Sequence, residues 1–207
     1  MHTIVVDHPL AAQHLTRLRD KQTDRAAFRQ AIDGLAEILV YEATRSLATE
    51  TVEVRTPVGP AKGARLLHPP LVVPVLRAGL GMLGAVLRLL PDAPTGFIGM
   101  ARNEATFVPE PYMNSVPPEL GGRDVLALDP MLATGGSLQH TAQILRDRGA
   151  GHITAVCVLA APEGLERIES SGLVDAVVTG AIDSHLNEQA FIVPGLGDAG
   201  DRLFGTA

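Results

Sequence analysis

The sequence predicts an α/β fold with a mostly parallel central sheet flanked by helices. Three observations lead there. Short, largely apolar runs recur at 71–76 (LVVPVL), 95–100 (TGFIGM), 124–129 (DVLALD), 153–161 (ITAVCVLAA) and 174–180 (VDAVVTG). Such runs suit strands covered on both faces, because one-sided strands alternate instead. Stretches with helical spacing separate several of them, at 80–90, 137–148 and 162–171. Glycine-rich turns stand where a run gives way to a helix, and open sheets of this class bind ligands beyond the carboxyl ends of their strands.

Each element has a local cause. Residues 9–20 read as a short helix opened by Pro9, which suits a first-turn position. Residues 24–48 read as a longer one, because Phe28, Ile32, Leu35 and Leu39 share a face and Thr23 or Asp24 can cap its start. In TVEVRT, Val52 and Val54 alternate with Glu53 and Arg55, so 51–66 reads as a small hood or hairpin outside the main core. Residues 103–120 are rich in proline and polar side chains and read as a flexible arm. In 137–148, Leu138, Ala142 and Leu145 share a face and Gly149 is a fitting C-terminal cap. After Gly180 periodicity fades. A chain of 207 residues reads as one domain, 1–207, with the hairpin and arm as excursions and 181–207 as a C-terminal region.

Bulk chemistry excludes several classes. The net charge is −6, lysine occurs only at Lys21 and Lys62, and aromatics are 3%, so a basic stacking face for nucleic acid is not visible. Leu71–Leu90 is the most lipid-like stretch, but it carries Arg77, Arg88, Pro74 and three glycines, so no membrane association is expected. The N-terminus lacks the pattern of a secretory signal. Cys157 is the only cysteine and reads as a core residue. The expected location is the cytoplasm. The seven histidines show no metal spacing.

Three stretches can cradle phosphate. GLGMLG (79–84) matches the dinucleotide pattern after a strand, with Glu104 about twenty residues on, and makes an NAD-dependent oxidoreductase a competing reading. GLGDAG (195–200) matches the same string without a long helix after it. The third is DPMLATGGS (129–137). Here the amides of Ala133 to Ser137 converge at a helix start capped by Ser137, with the hydroxyls of Thr134 and Ser137 beside them. No lysine follows the last glycine, so a triphosphate is not the natural guest. Asp129 can reach the hydroxyls of a sugar whose phosphate sits in the loop, which makes a ribose 5-phosphate site. The bland alternative is a tight turn that holds nothing.

DPMLATGGS resembles the phosphoribosyl diphosphate (PRPP) loop of type I phosphoribosyltransferases. Pro130, in place of a second acid, is similar to the uracil-specific members. DHPL (7–10), YEAT (41–44), PVLRAGLGM (74–82), RNE (102–104), AAPEG (160–164) and PGLGDAGDRLFGT (194–206) extend the resemblance over nearly the whole chain. It implies the type I phosphoribosyltransferase fold and transfer of uracil to PRPP, giving UMP and diphosphate. Asp129, Pro130, Met131, Leu132, Ala133, Thr134, Gly135, Gly136 and Ser137 would hold the ribose 5-phosphate. Arg77, in a loop that can carry a cis peptide, and Arg102 would bind the diphosphate, with Glu104 either bracing Arg102 or solvated. Ile192, Gly197, Asp198 and Ala199 would bind uracil, with Asp198 also facing PRPP and a candidate base for uracil N1. Arg77, Arg102, Asp129 and Asp198 are thus the catalytic candidates. Mg²⁺ would arrive with PRPP, touched by Asp129 or Asp198 through water and by no direct protein ligand. The resemblance further implies a homodimer or larger assembly and GTP as an effector. A non-catalytic regulator of the same fold that binds nucleotide or RNA is a third reading. Two departures stand out: Ala101 precedes Arg102 and Phe191 precedes Ile192, where tyrosine is frequent in relatives.

Overall fold

The computed structural model describes residues 1–102 and 109–205, with backbone alone at 101, 102 and 109–111. In chain order the elements are β1 (His2–Val5), α1 (Pro9–Arg19), α2 (Arg25–Ala43), β2 (Thr49–Arg55), β3 (Pro60–Leu66), β4 (Leu71–Leu76), α3 (Leu80–Leu89), β5 (Ile98–Arg102) and β6 (Pro109–Asn114). There follow β7 (Val125–Leu128), β8 (Met131–Leu132), α4 (Gly136–Asp147), β9 (Ile153–Ala160), α5 (Pro162–Ser171), β10 (Ala176–Ile182), β11 (His185–Leu186), β12 (Ile192–Val193) and α6 (Ala199–Phe204).

Eight strands form one sheet in the order β1-β10-β9-β7-β4-β5-β6, with β8 beside β9. Every pairing in it is parallel except β5 with β6. The five apolar runs therefore all lie in the sheet, with the helices α1, α2 and α3 on one face and α4 and α5 on the other. β9 shows why its run is continuous. Val156 and Val158 join the core under α2, while Ile153, Ala155 and Cys157 join the core under α4, and all are buried. Phe28, Ile32, Leu35 and Leu39 of α2 are fully buried, each stabilising the fold by about 1.5–3 kcal/mol.

Boundaries differ from expectation for local reasons. α1 starts at Pro9, with His8 Nδ1 accepting the Leu10 amide at 3.1 Å. α2 starts after Asp24, whose carboxylate accepts from the Ala27 amide at 2.8 Å, but it ends at Ala43 and not at 48. There the amide and hydroxyl of Thr44 both turn to the Val40 carbonyl, which closes the helix. The hairpin β2–β3 runs in full register from Thr49–Leu66 to Arg55–Pro60 and stands out from the core, with Val58 at its tip 97% exposed. The stretch read as a flexible arm is largely built: β6 pairs antiparallel with β5, and Val116 and Leu120 are buried beneath α4. Residues 103–108, Glu104 among them, lie outside the described residues. β1 is a strand that sequence spacing does not announce, since its four residues are mostly exposed and only pairing with β10 defines it.

Candidate active site

The order of strands reverses between β4 and β7, which are parallel neighbours with Pro74 opposite Leu128. The loops leaving their carboxyl ends flank the crevice where such sheets bind ligands. They touch: a Cβ on Gly79 would press on the Leu128 carbonyl.

The loop after β7 is built step by step. The Asp129 amide donates to the Val156 carbonyl at 3.2 Å, and the Pro130 carbonyl accepts from Val158 and Leu159 at 2.9 and 3.0 Å. The chain thus stays on β9 long enough to form β8. The Ala133 amide then folds back to the Met131 carbonyl at 3.0 Å. Gly135 turns into the left-handed region, φ 75°, and α4 begins at Gly136. The cap is therefore Gly135 and not Ser137. A side chain there would face a backbone penalty of about 1–2 kcal/mol. With Ala133 spent internally, the amides of Thr134, Gly135, Gly136 and Ser137 are the ones with no acceptor among the described residues. They open the positive end of α4, and the half-buried hydroxyls of Thr134 and Ser137 stand with them. Pro130 and Leu132 are buried, so their part is to shape the loop, while Met131 and Ala133 line the cleft.

Asp129 stands half-buried at the foot of this loop. Burial pushes its carboxyl up to about 6, opposed only by a long 3.4 Å hydrogen bond from the Met131 amide. Cys157 lies beneath, fully buried, and burial together with the Asp129 charge drives its thiol up, so it stays protonated.

Arg77 follows β4 across a cis Leu76–Arg77 peptide and is exposed, its Nη2 4.0 Å from Asp201 Oδ1 of α6. Arg102 ends β5, the strand beside β4, so its backbone reaches the same rim; its side chain lies outside the described residues. The first dinucleotide-like string has another use. A Cβ on Gly81 would come within 2.6 Å of Leu203 Cδ1, so that glycine admits α6 and not a pyrophosphate.

The opposite wall comes from the C-terminal region. β11 and β12 pair antiparallel, a cis Val193–Pro194 bond follows, and Gly195 and Gly197 adopt φ 63° and 82°. Asp198 caps α6, its Oδ1 accepting the Asp201 amide at 2.8 Å. Gly197, Asp198 and Ala199 line a cleft of about 320 Å³ with Ala78, Met131, Ala133 and Ile192, so the PRPP-loop and uracil-loop candidates share one cavity. Phe191 forms part of its rim and is half-exposed, with no hydroxyl to offer. A larger hollow of about 500 Å³ lies by β1, α2 and Leu89, but it presents Asp7, Glu37 and Glu42, the wrong sign for a phosphate. Among the described residues no group of three or more histidine, cysteine or acidic side chains is placed to hold a metal.

Sequence reasoning missed the supports. Glu163, in the first turn of α5, accepts the Leu186 amide at 2.9 Å and so steadies β11. That hydrogen bond, the Glu163 amide itself and the electrostatic pull of nearby His185 hold its carboxyl below the ordinary range. Gly164 lets the carbonyls of Leu132 and Ala133 approach α5, as an added Cβ would sit 2.8 Å from the former. Both belong to AAPEG, the signal that pointed to them. Arg19 and Asp183 form an ion pair at 2.6 Å behind the C-terminal loop, and no local pattern links two residues so far apart.

Comparison with known proteins agrees with this geometry. The family model described as uracil phosphoribosyltransferase matches residues 5–206. The chain is 56% identical over 210 residues to the uracil phosphoribosyltransferase of Streptomyces griseus, covering all of both chains. It is 55% identical to that of Corynebacterium diphtheriae, over 99% of this chain and 97% of the other. A solved structure of a protein from Aquifex aeolicus superposes with TM-score 0.92 at 38% identity, covering 99% of each chain. Adenine phosphoribosyltransferase from Leishmania donovani shares the fold at TM-score 0.61 and 15% identity, over 91% of this chain and 87% of that one.

Proposed function

The chain belongs to the uracil phosphoribosyltransferase family, and from that premise we propose how its residues join uracil to PRPP, forming UMP and diphosphate. The observation that carries the reading is the row of unspent amides at 134–137, which follows directly on Ala133, a residue of the cleft wall facing Gly197–Ala199. The amides and the hydroxyls of Thr134 and Ser137 grip the 5-phosphate. Asp129 accepts from the ribose hydroxyls and fixes the sugar over the switch point.

The C1–oxygen bond breaks toward diphosphate, which gathers negative charge, while the sugar ring becomes cationic. Arg77 is an exposed donor already on the rim, and it stabilises the leaving group as charge develops. Arg102 serves the same group from the next strand. Uracil presents an acceptor–donor–acceptor edge, and backbone groups of the Gly197–Ala199 turn match it. Cytosine reverses two of these roles and would leave buried polar groups unpaired. Asp198 lines the cleft and is the candidate base for uracil N1.

Mg²⁺ fits this donor set as a companion of PRPP. Asp129 and the free oxygen of Asp198 would hold its waters, and the ion would supply Lewis-acid stabilisation of diphosphate. Self-association as a dimer or larger is supported by the apolar tip of the hairpin, where Val54 and Val58 are exposed. A cytoplasmic location is supported by the free, buried Cys157. No helix among the described residues is long and apolar enough to cross a membrane. GTP as an effector rests on the resemblance alone, and initial rates with and without it decide the point. Incubation with labelled uracil, PRPP and Mg²⁺ tests the reaction. UMP is expected, and its absence would sink the reading.

A further inference from the structure

Gly195 is the pivot of the C-terminal loop. It follows the cis Val193–Pro194 bond, turns at φ 63°, and packs so closely on the Ile192 carbonyl that no side chain fits. Both of its backbone polar groups are taken by one ion pair. Asp183, at the end of β10, accepts the Gly195 amide through Oδ2 at 2.8 Å. Arg19, at the end of α1, donates through Nη1 to the Gly195 carbonyl at 3.0 Å and to the same Oδ2 at 2.8 Å. Its Nη2 closes the pair on Oδ1 at 2.6 Å. The Asp183 side chain is 5% exposed. A plain staple between α1 and β10 would not need the carboxylate oriented on the loop amide.

We propose that Arg19 and Asp183 are positioning residues for the pyrimidine, setting the height and tilt of the turn that reads the base. The proposal rests on the assignment of Gly197–Ala199 to uracil. Burial alone would push the Asp183 carboxyl up, but the bonds from Arg19 and the Gly195 amide outweigh it and hold the group ionised. A second arginine backs the first. Arg202 donates to the Leu196 carbonyl at 3.0 Å and to the Asp20 carbonyl at 2.7 Å, so the loop is tied to the end of α1 at two successive residues. None of these bonds touches Arg77 or 129–137. The clamp therefore acts on the turn that reads the base and leaves the phosphate loop alone.

Steady-state kinetics on the whole protein test it. Arg19→Lys keeps the charge but loses the fork that serves Asp183 and Gly195 together. Asp183→Asn keeps an acceptor but loses the pair. Each is expected to raise KM for uracil about tenfold, as for a lost charge-assisted hydrogen bond, with KM for PRPP and kcat within about twofold. The exchange Arg19→Asp with Asp183→Arg restores an ion pair but offers the Gly195 amide no acceptor, so KM for uracil stays raised. Parallel movement of both KM values with the melting temperature would make the pair a general staple and overturn the proposal. So would unchanged constants, or full rescue by the exchange. If Asp183→Asn does not fold, Arg19→Lys carries the same reading. Wild-type turnover is measured first: no UMP there overturns the reaction and the clamp together, whereas normal wild-type turnover with an unmoved uracil KM overturns the clamp alone.

Discussion

The two walls of the cleft are built in opposite ways. The phosphate loop closes on itself between β7 and α4: its hydrogen bonds run to β9 next door, within its own turn, and into its own helix. The C-terminal loop has local bonds in the Asp198 cap and from Arg202, and is otherwise held from far along the chain. Its carbonyls and amides reach Arg19, Asp183 and Arg202, and β11 below it leans on Glu163 of α5. The difference suits the two guests that the proposed function assigns to them. A phosphate is bound by a fixed array of amides and a helix end, which a short turn builds unaided. A base edge must be met by one N–H and one C=O at a set height, and a loop without regular structure keeps such a height only when braced from outside.

The comparison can be broken from either wall. The largest effect is expected from Arg77→Ala, on the rim between them. It removes a donor to the leaving group, so kcat should fall about 10²–10³-fold while KM for uracil stays near wild type. Equal losses in both would contradict its role. Gly164→Ala comes next. The new methyl presses on the Leu132 and Ala133 carbonyls and shifts the phosphate loop. KM for PRPP should rise about tenfold, the size of an overpacked contact, and KM for uracil should hold. A matching rise for uracil would mean that the walls are mechanically one.

The third prediction is a pH profile. Asp129 grips hydroxyls as the anion, and burial raises its carboxyl to about 6. Below that value kcat/KM for PRPP should fall about tenfold per pH unit, because this ratio reports the free enzyme. The same shift has a sign for stability. Between the ordinary 3.8 and about 6 the folded chain holds a proton that the unfolded chain has released. Stability is therefore highest below that window, falls as pH rises through it and is level above it. Asp129→Asn should remove the fall: heat denaturation at pH 4 and pH 7 should then show a smaller difference than in wild type, despite lost activity. The smallest effect is expected from Glu163→Gln. It weakens one exposed bond beneath β11, and KM for uracil should rise about threefold with PRPP unaffected.

Much of this molecule is written locally. The apolar runs named the sheet strands from β4 to β10 apart from β6 and the short β8, because burial on both faces leaves a continuous signature in a few residues. The turn at 129–137 and the place of Arg77 just after β4 were equally legible, since strand, turn and helix start follow one another along the chain. Where the expectation slipped, a neighbour in space decided. Gly135 and not Ser137 caps α4, and a Cβ there would stand 3.0 Å from the Gly164 carbonyl of α5. Pairing with β5 made a strand of Pro109–Asn114, whose prolines read as an arm, and pairing with β10 made one of His2–Val5.

What the sequence by itself determined is the class of fold, the strand, turn and helix start around 129–137 and, through the resemblance, the chemistry. The order of the strands, and with it the meeting of Gly79 with Leu128 and of Arg19 with Asp183, was decided only by the tertiary structure. The physical reason is one of range. Turn preferences and burial periods act over a few residues and leave their mark on them. A bond between α1 and the end of β10 spans 164 positions and imposes no period on either. It exists because α1 packs against α2, α2 covers β9 and β10, and the loop beyond β12 folds back over their carboxyl ends.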